Sequence, residues 1–148
     1  MSGMLKSALA VGVVEKTRAV DLAEFDEAYA GKGVVFEVWL TPSQAHIEAW
    51  KETRDWLVDA SERARKARAA IEDEERRAEY DTATAERLQR EYDRRLDAWL
   101  AETWRNWEVA DVETLHAHLT ANCPAMWDWL VHQTHSAIGE FRRKAAGN

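Results

Sequence analysis

From Ser43 to Cys123 the chain contains neither glycine nor proline. These are the two residues that most strongly interrupt regular structure, so the stretch is committed to long, unbroken elements. Its start carries helix signals: Thr41 as a cap, Pro42 at the first helical position, and Gln44 three residues on to close a capping box. A helix is therefore expected from Pro42. Trp50, Leu57, Ala64, Ile71, Ala78, Ala85, Tyr92 and Trp99 then recur every seventh residue, the spacing of a coiled-coil seam. The companion positions Ala60, Ala67, Glu74, Asp81, Leu88, Arg95 and Glu102 are too polar in the middle for a good zipper.

Two arrangements satisfy this pattern. One helix from Pro42 to Trp107 would run about 100 Å at 1.5 Å per residue. Alternatively the chain bends near Asp73–Thr84, with Asp81 or Thr82 capping the second arm. Tryptophan placement favours the bend. Trp50 and Trp56 lie about as far before Ala78 as Trp99, Trp104 and Trp107 lie after it, so folding back brings the two groups together at an aromatic base.

Before this stretch, Ala10–Val14 and Val34–Leu40 read as strands around the connector VDLAEFDEAYAGKG. In the second run Val34, Phe36, Val38 and Leu40 share one face, with Val35, Glu37 and Trp39 on the other. After it, Asp111 is placed to cap a short helix, VETLHAHLTA, and Pro124 opens a last helix. That helix carries an apolar stripe through Met126, Trp127, Leu130, Val131, Thr134, Ile138 and Phe141, with Arg142, Arg143 and Lys144 at its C-terminal end. The expected fold is mainly α: a long helical hairpin plus C-terminal helices, with a small N-terminal β-element. It forms one domain over 1–148, divided into 1–41, 42–108 and 111–146.

Charge narrows the function classes. The net charge of −7 is opposite to the cationic footprint that phosphate binding needs, so nucleic acid is not an expected partner. No run approaches the roughly 18 apolar residues of a membrane span, and the single Cys123 cannot close an intramolecular disulfide. These features point to a soluble protein of the cytoplasm. Between Ser61 and Arg95 there are ten acidic and ten basic residues, with Glu–Arg and Asp–Arg pairs four apart in the favourable order. This describes a solvated helical surface. The basic cluster Arg63, Arg65, Lys66 and Arg68 is followed by Glu72–Glu75, which suggests a charge match within the chain or between subunits.

Catalytic and metal chemistry find little support. Glu113-x-x-His116 has carboxylate–imidazole spacing and His132 and His135 sit one turn apart, but a dinuclear bundle site needs two Glu-x-x-His pairs. The histidines, His118 among them, read as surface or boundary residues. Cys123 before Pro124 has no nucleophile signature. Gly31-Lys32-Gly33 precedes a strand, the reverse of a phosphate-binding loop. No catalytic residue, cofactor or metal is expected, and the chain reads as a non-enzyme. Eight tryptophans read first as core packing. Where exposed they suit an interface, so Trp50, Trp56, Trp99, Trp104, Trp107 and Trp127 are the candidate protein-interaction residues. The partner is another polypeptide or a second copy of the chain.

In order, VDLAEFDEAYAGKGVVFEVWLTPS, a helical centre, WRNWEVADVETLHAHL and CPAMWDWLVHQTHSAIGEF resemble the tail assembly chaperones of long-tailed phages. The charged stretch Ser61–Arg95 is an addition to that family's compact layout. The resemblance implies a virion-assembly protein of the host cytoplasm that coats the tape measure protein before the tail tube polymerises, through apolar and helical contacts and without a catalytic residue. The other reading is an unrelated helical-hairpin adaptor or regulatory module.

Overall fold

A computed structural model describes residues 15–31, 36–107 and 111–147. Strands β1 (Thr17–Val20), β2 (Phe36–Trp39) and β3 (Trp104–Arg105) form an antiparallel sheet in the order β1-β2-β3. The helices are α1 (Gln44–Ala69), α2 (Glu74–Thr103), α3 (Val112–Asn122) and α4 (Pro124–Ala146). The mainly α fold with a small N-terminal sheet is as the sequence indicates.

Helix α1 begins two residues later than the proline suggests. Ser43, not Thr41, is its cap, with Oγ accepting from the His46 backbone N–H at 3.2 Å. Thr41 has other partners: its Oγ1 accepts from Lys16 N–H and from Trp39 Nε1, each at 3.2 Å. The residue expected to start the helix instead ties the sheet to the helix entry.

The chain folds back as a hairpin, and a single long helix does not form. The turn lies at 70–73, at the early edge of the expected bend. Asp73 caps α2 by accepting from Glu75 N–H at 2.9 Å, where Asp81 or Thr82 was expected. Glu74 and Glu75 in the first turn suit the positive end of the helix dipole. A glycine usually completes such a turn. Here Arg77 reaches back instead, donating to the carbonyl of Ile71 at 2.8 Å and to that of Glu72 at 3.4 Å.

That turn also resets the seam. In α1 the row Trp50, Leu57 and Ala64 is half-buried and His46, Thr53 and Ala60 are buried beside it. Past the turn Ala78 and Ala85 are exposed, while Arg77, Tyr80, Thr84 and Leu88 are the shielded positions. A sevenfold row extrapolated through a helix holds its face only while the helix is continuous. Between Ser61 and Arg95 no residue is buried. The cross-arm ion pair there, Arg68–Asp81 at 2.9 Å, is about half exposed on both sides; such pairs contribute roughly 0–1 kcal/mol.

The core sits at the other end. Val20, Phe36 and Val38 of the sheet pack with Leu96, Trp99 and Leu100 of α2, Val112 and Leu119 of α3, and Met126, Trp127, Leu130, Ala137 and Ile138 of α4. The alternation expected along β2 appears as buried Phe36 and Val38 against half-exposed Glu37 and Trp39. The partner of β2 is Thr17–Val20, a strand not anticipated because four residues are too few for alternation to register. The expected strand Ala10–Val14 lies outside the described residues. The second pairing, Val38 with Trp104, comes from two residues inside what reads as a helical segment. Asp111 caps α3, accepting from Thr114 N–H at 2.8 Å, and Pro124 opens α4, both as expected. No helix among the described residues is long and apolar enough to cross a membrane.

Candidate functional site: the aromatic root of the hairpin

Where α1, α2 and α4 meet, the Trp99 ring stacks with two imidazoles. His46 of α1 stacks on it at 4.8 Å and 2°, and His135 of α4 at 5.0 Å and 14°. Trp50 closes the group, 5.3 Å from Trp99, 4.9 Å from His135 and 6.0 Å from Tyr92. Trp99 Nε1 donates to the His46 carbonyl at 3.0 Å. Thr103 gives its hydroxyl proton to the Trp99 carbonyl at 2.7 Å. The contact between His46 Nε2 and Thr103 Oγ1, 2.7 Å, therefore needs the imidazole to be the donor. With that proton on Nε2, Nδ1 can hydrogen-bond the Glu102 carboxylate, 3.2 Å away, only in the protonated ring; in the neutral ring a lone pair faces the carboxylate oxygen. Burial pushes the His46 pKa down, with the Glu102 carboxylate opposing. Burial also depresses His135, aided by the positive charges of Arg54 and His132.

A second group lies beneath. The Trp104 ring is 4.3 Å from Phe36, 5.1 Å from Trp107 and 6.2 Å from Trp127. Trp104 Nε1 donates to Thr134 Oγ1 at 3.0 Å, and that hydroxyl donates to the Leu130 carbonyl at 2.8 Å. Trp127 stacks with His116 at 4.0 Å and 9°. His116 Nδ1 in turn lies 2.7 Å from Asp97 Oδ1, with both side chains largely buried. Burial raises the Asp97 pKa, and the hydrogen bond from His116 opposes the rise.

Of the six expected interaction residues, the root gathers Trp50 with Trp99 and, separately, Trp104 with Trp107 and Trp127. Trp56 stands apart along the arm, beneath the Arg95 guanidinium at 4.5 Å. Trp99, Trp104 and Trp127 are buried, while Trp50, Trp56 and Trp107 are half-buried. Of the buried polar groups that hold these rings, Thr134 lies on the stripe expected of the last helix, whereas sequence reasoning missed His46, Asp97 and Thr103. His46 carried a usable signal, since it shares the heptad position of Thr53 and Ala60. His116 and His135 lie at the core boundary and His118 and His132 are exposed, in keeping with the reading of the histidines. Among the described residues no three His, Cys, Asp or Glu side chains are grouped to hold a metal ion.

Of the grooves that flank the root, two are larger than the one of about 290 Å³ beside His46, Thr53 and Glu102. One, of about 580 Å³, runs past Tyr92, His116, Trp127, Val131, His132 and His135. The other, of about 560 Å³, lies between α1 and α4 and is lined by Ile47, Trp50, Trp99, His135 and Ile138, with Lys51, Arg54 and Arg142 at its rim. No protein-family model, curated protein or solved structure matches the chain.

Proposed function

We propose that the protein is a polypeptide-binding assembly factor of the tail assembly chaperone kind, which holds a long helical client such as a tape measure protein until it is assembled. The observation that carries this reading is the outer half of the hairpin. Ordering a residue costs on the order of 1–2 kcal/mol of backbone entropy, yet no side chain between Ser61 and Arg95 is buried to offset it. A two-helix arm with so little internal return is understood if its surface is completed by another chain. The aromatic root suits this, because the stacked rings on α1, α2 and α4 fix where the arm leaves the body.

On this reading the protein works in the cytoplasm, that of the host if the gene is phage-borne, and performs no catalytic step. Co-expression with the tape measure protein of the same genome is expected to raise the client's solubility and to yield a complex that co-purifies. Removing residues 62–89 and closing the arm with a short turn is expected to leave the body folded and to abolish the complex. A purified protein that binds no polypeptide, stays monomeric and carries a stoichiometric metal would overturn the reading.

A further inference from the structure

The close Lys and Arg ion pairs among the described residues are Arg18 and Lys144 on Glu140, Arg65 on Glu62, Arg68 on Asp81, Arg94 and Arg95 on Glu91, and Arg105 on Glu15. Lys51, Arg54 and Arg142 are exposed and, like Arg63, Lys66, Arg87 and Arg90 on the arm and Arg143 on α4, make no ion pair or side-chain hydrogen bond among the described residues. In a chain of net charge −7, Lys51, Arg54 and Arg142 converge on one place, the rim of the groove between α1 and α4. Glu48, the acidic residue at that rim, accepts from Gln44 Nε2 at 2.8 Å.

The groove floor is apolar and aromatic, with Ile47 and Trp50 from α1 and Ile138 from α4. Gly139 adds an independent sign. It lies inside α4, where glycine is unfavourable relative to alanine, and it lines the same groove. A Cβ built there would meet only Arg143 Nη1, the end of a flexible side chain, at 3.4 Å. Among the described residues the fold has no use for the missing methyl group. A neighbour approaching α4 closely from outside would.

We propose that the groove between α1 and α4 is the docking site for an acidic amphipathic helix of the client, whose apolar face seats on Ile47, Trp50 and Ile138 while its carboxylates pair with Lys51, Arg54 and Arg142. The assignment rests on the polypeptide-binding reading and names the chemistry of the partner segment. From Ile47 to Arg54 α1 rises about 10 Å, two turns of helix, so the site engages anchors at i, i+3, i+4 and i+7 on one face. Gly139 allows that helix to come close.

The test uses the full chain and three labelled 20-residue helical peptides: a Leu/Phe stripe flanked by Glu, the same stripe flanked by Lys, and a scrambled Glu version. Anisotropy should show saturable binding of the acidic amphipathic peptide alone. K51E/R54E/R142E should weaken it by about a hundredfold or more and accept the Lys-flanked peptide instead, since rim charges set partner choice. Gly139→Leu should also abolish binding, whereas Gly139→Ala should leave the free protein at least as stable. Circular dichroism checks that each variant folds, with R142E alone standing in should the triple variant fail. Equal binding of acidic and basic peptides, or binding untouched by both the charge reversals and Gly139→Leu, overturns the proposal. So does self-association that the triple variant removes, because the occupant would then be a second copy. If the client still co-purifies with K51E/R54E/R142E, the groove assignment falls and the broader reading stands.

Discussion

Trp104→Ala is expected to destabilise the protein by about 3–5 kcal/mol, the range for removing a large aromatic side chain from a packed core. Trp104 is 4% exposed and joins three parts of the fold at once. Its backbone pairs with Val38 in the sheet, its ring packs on Phe36, and its indole N–H holds Thr134 of α4. Alanine leaves a cavity among Phe36, Trp107 and Trp127 and removes the donor to Thr134. A domain of this size is stable by only about 5–15 kcal/mol, so the loss is a large part of the total. Urea denaturation should show a lower midpoint with an unchanged slope. Trp56→Ala, under Arg95 on the arm, should cost about 1 kcal/mol. Comparable losses from the two substitutions would mean that the core extends into the arm.

His116→Ala is expected to cost about 3 kcal/mol near neutral pH, because removing one partner leaves the other group of a buried pair uncompensated. The imidazole supports the Asp97 carboxylate at 2.7 Å and stacks on Trp127 at 4.0 Å. The pH dependence carries a sign that separates these roles. Burial already raises the folded pKa of Asp97, and losing His116 removes what opposes it. As pH falls, the folded variant therefore takes up the Asp97 proton before the unfolded chain does. Part of the loss should be recovered between neutral pH and the ordinary carboxyl range. A background that runs the other way from about the ordinary histidine value of 6.5 downward is common to both proteins, so the recovery is read as a narrowing of the difference between them. His46 and His135 have depressed folded pKa values, so the unfolded chain binds their protons first and stability falls as pH drops below that value. Thermal melts of both proteins from pH 7.5 to 5 check the signs. A loss in His116→Ala that does not lessen as pH falls would leave only the stacking role.

The helices were legible because their signals are local. Asp111 and Pro124 sit where caps and first turns require them, and the row Trp50, Leu57 and Ala64 belongs to one uninterrupted helix. The hairpin could be read from tryptophan placement, but its turn was misplaced because it uses Asp73 and the Arg77 guanidinium instead of a glycine. A side chain that reaches back to carbonyls leaves no mark in composition. The seam beyond the turn was lost for the same reason, since its phase depends on where the helix restarts. Strand β3 is a tertiary product: Trp104 and Arg105 become extended only because β2 offers an edge to pair with. At the root, the rings could be counted from sequence, but which of them are buried could not. That depends on His46, Thr103, Thr134 and Asp97, brought from three helices to complete their hydrogen bonds.

The central claim, that the hairpin arm and the groove at its root bind a polypeptide, is tested most directly by amide hydrogen exchange on the full chain alone and with its co-purified client. In the free protein, exchange should be slow around Leu96–Trp104 and Met126–Ile138 and fast across the arm from Ser61 to Arg90, where nothing is buried. With the client bound, protection should rise in the arm and along α1 and α4 beside Ile47, Trp50 and Gly139. Unchanged exchange in all of these segments in the presence of a saturating client would contradict the account.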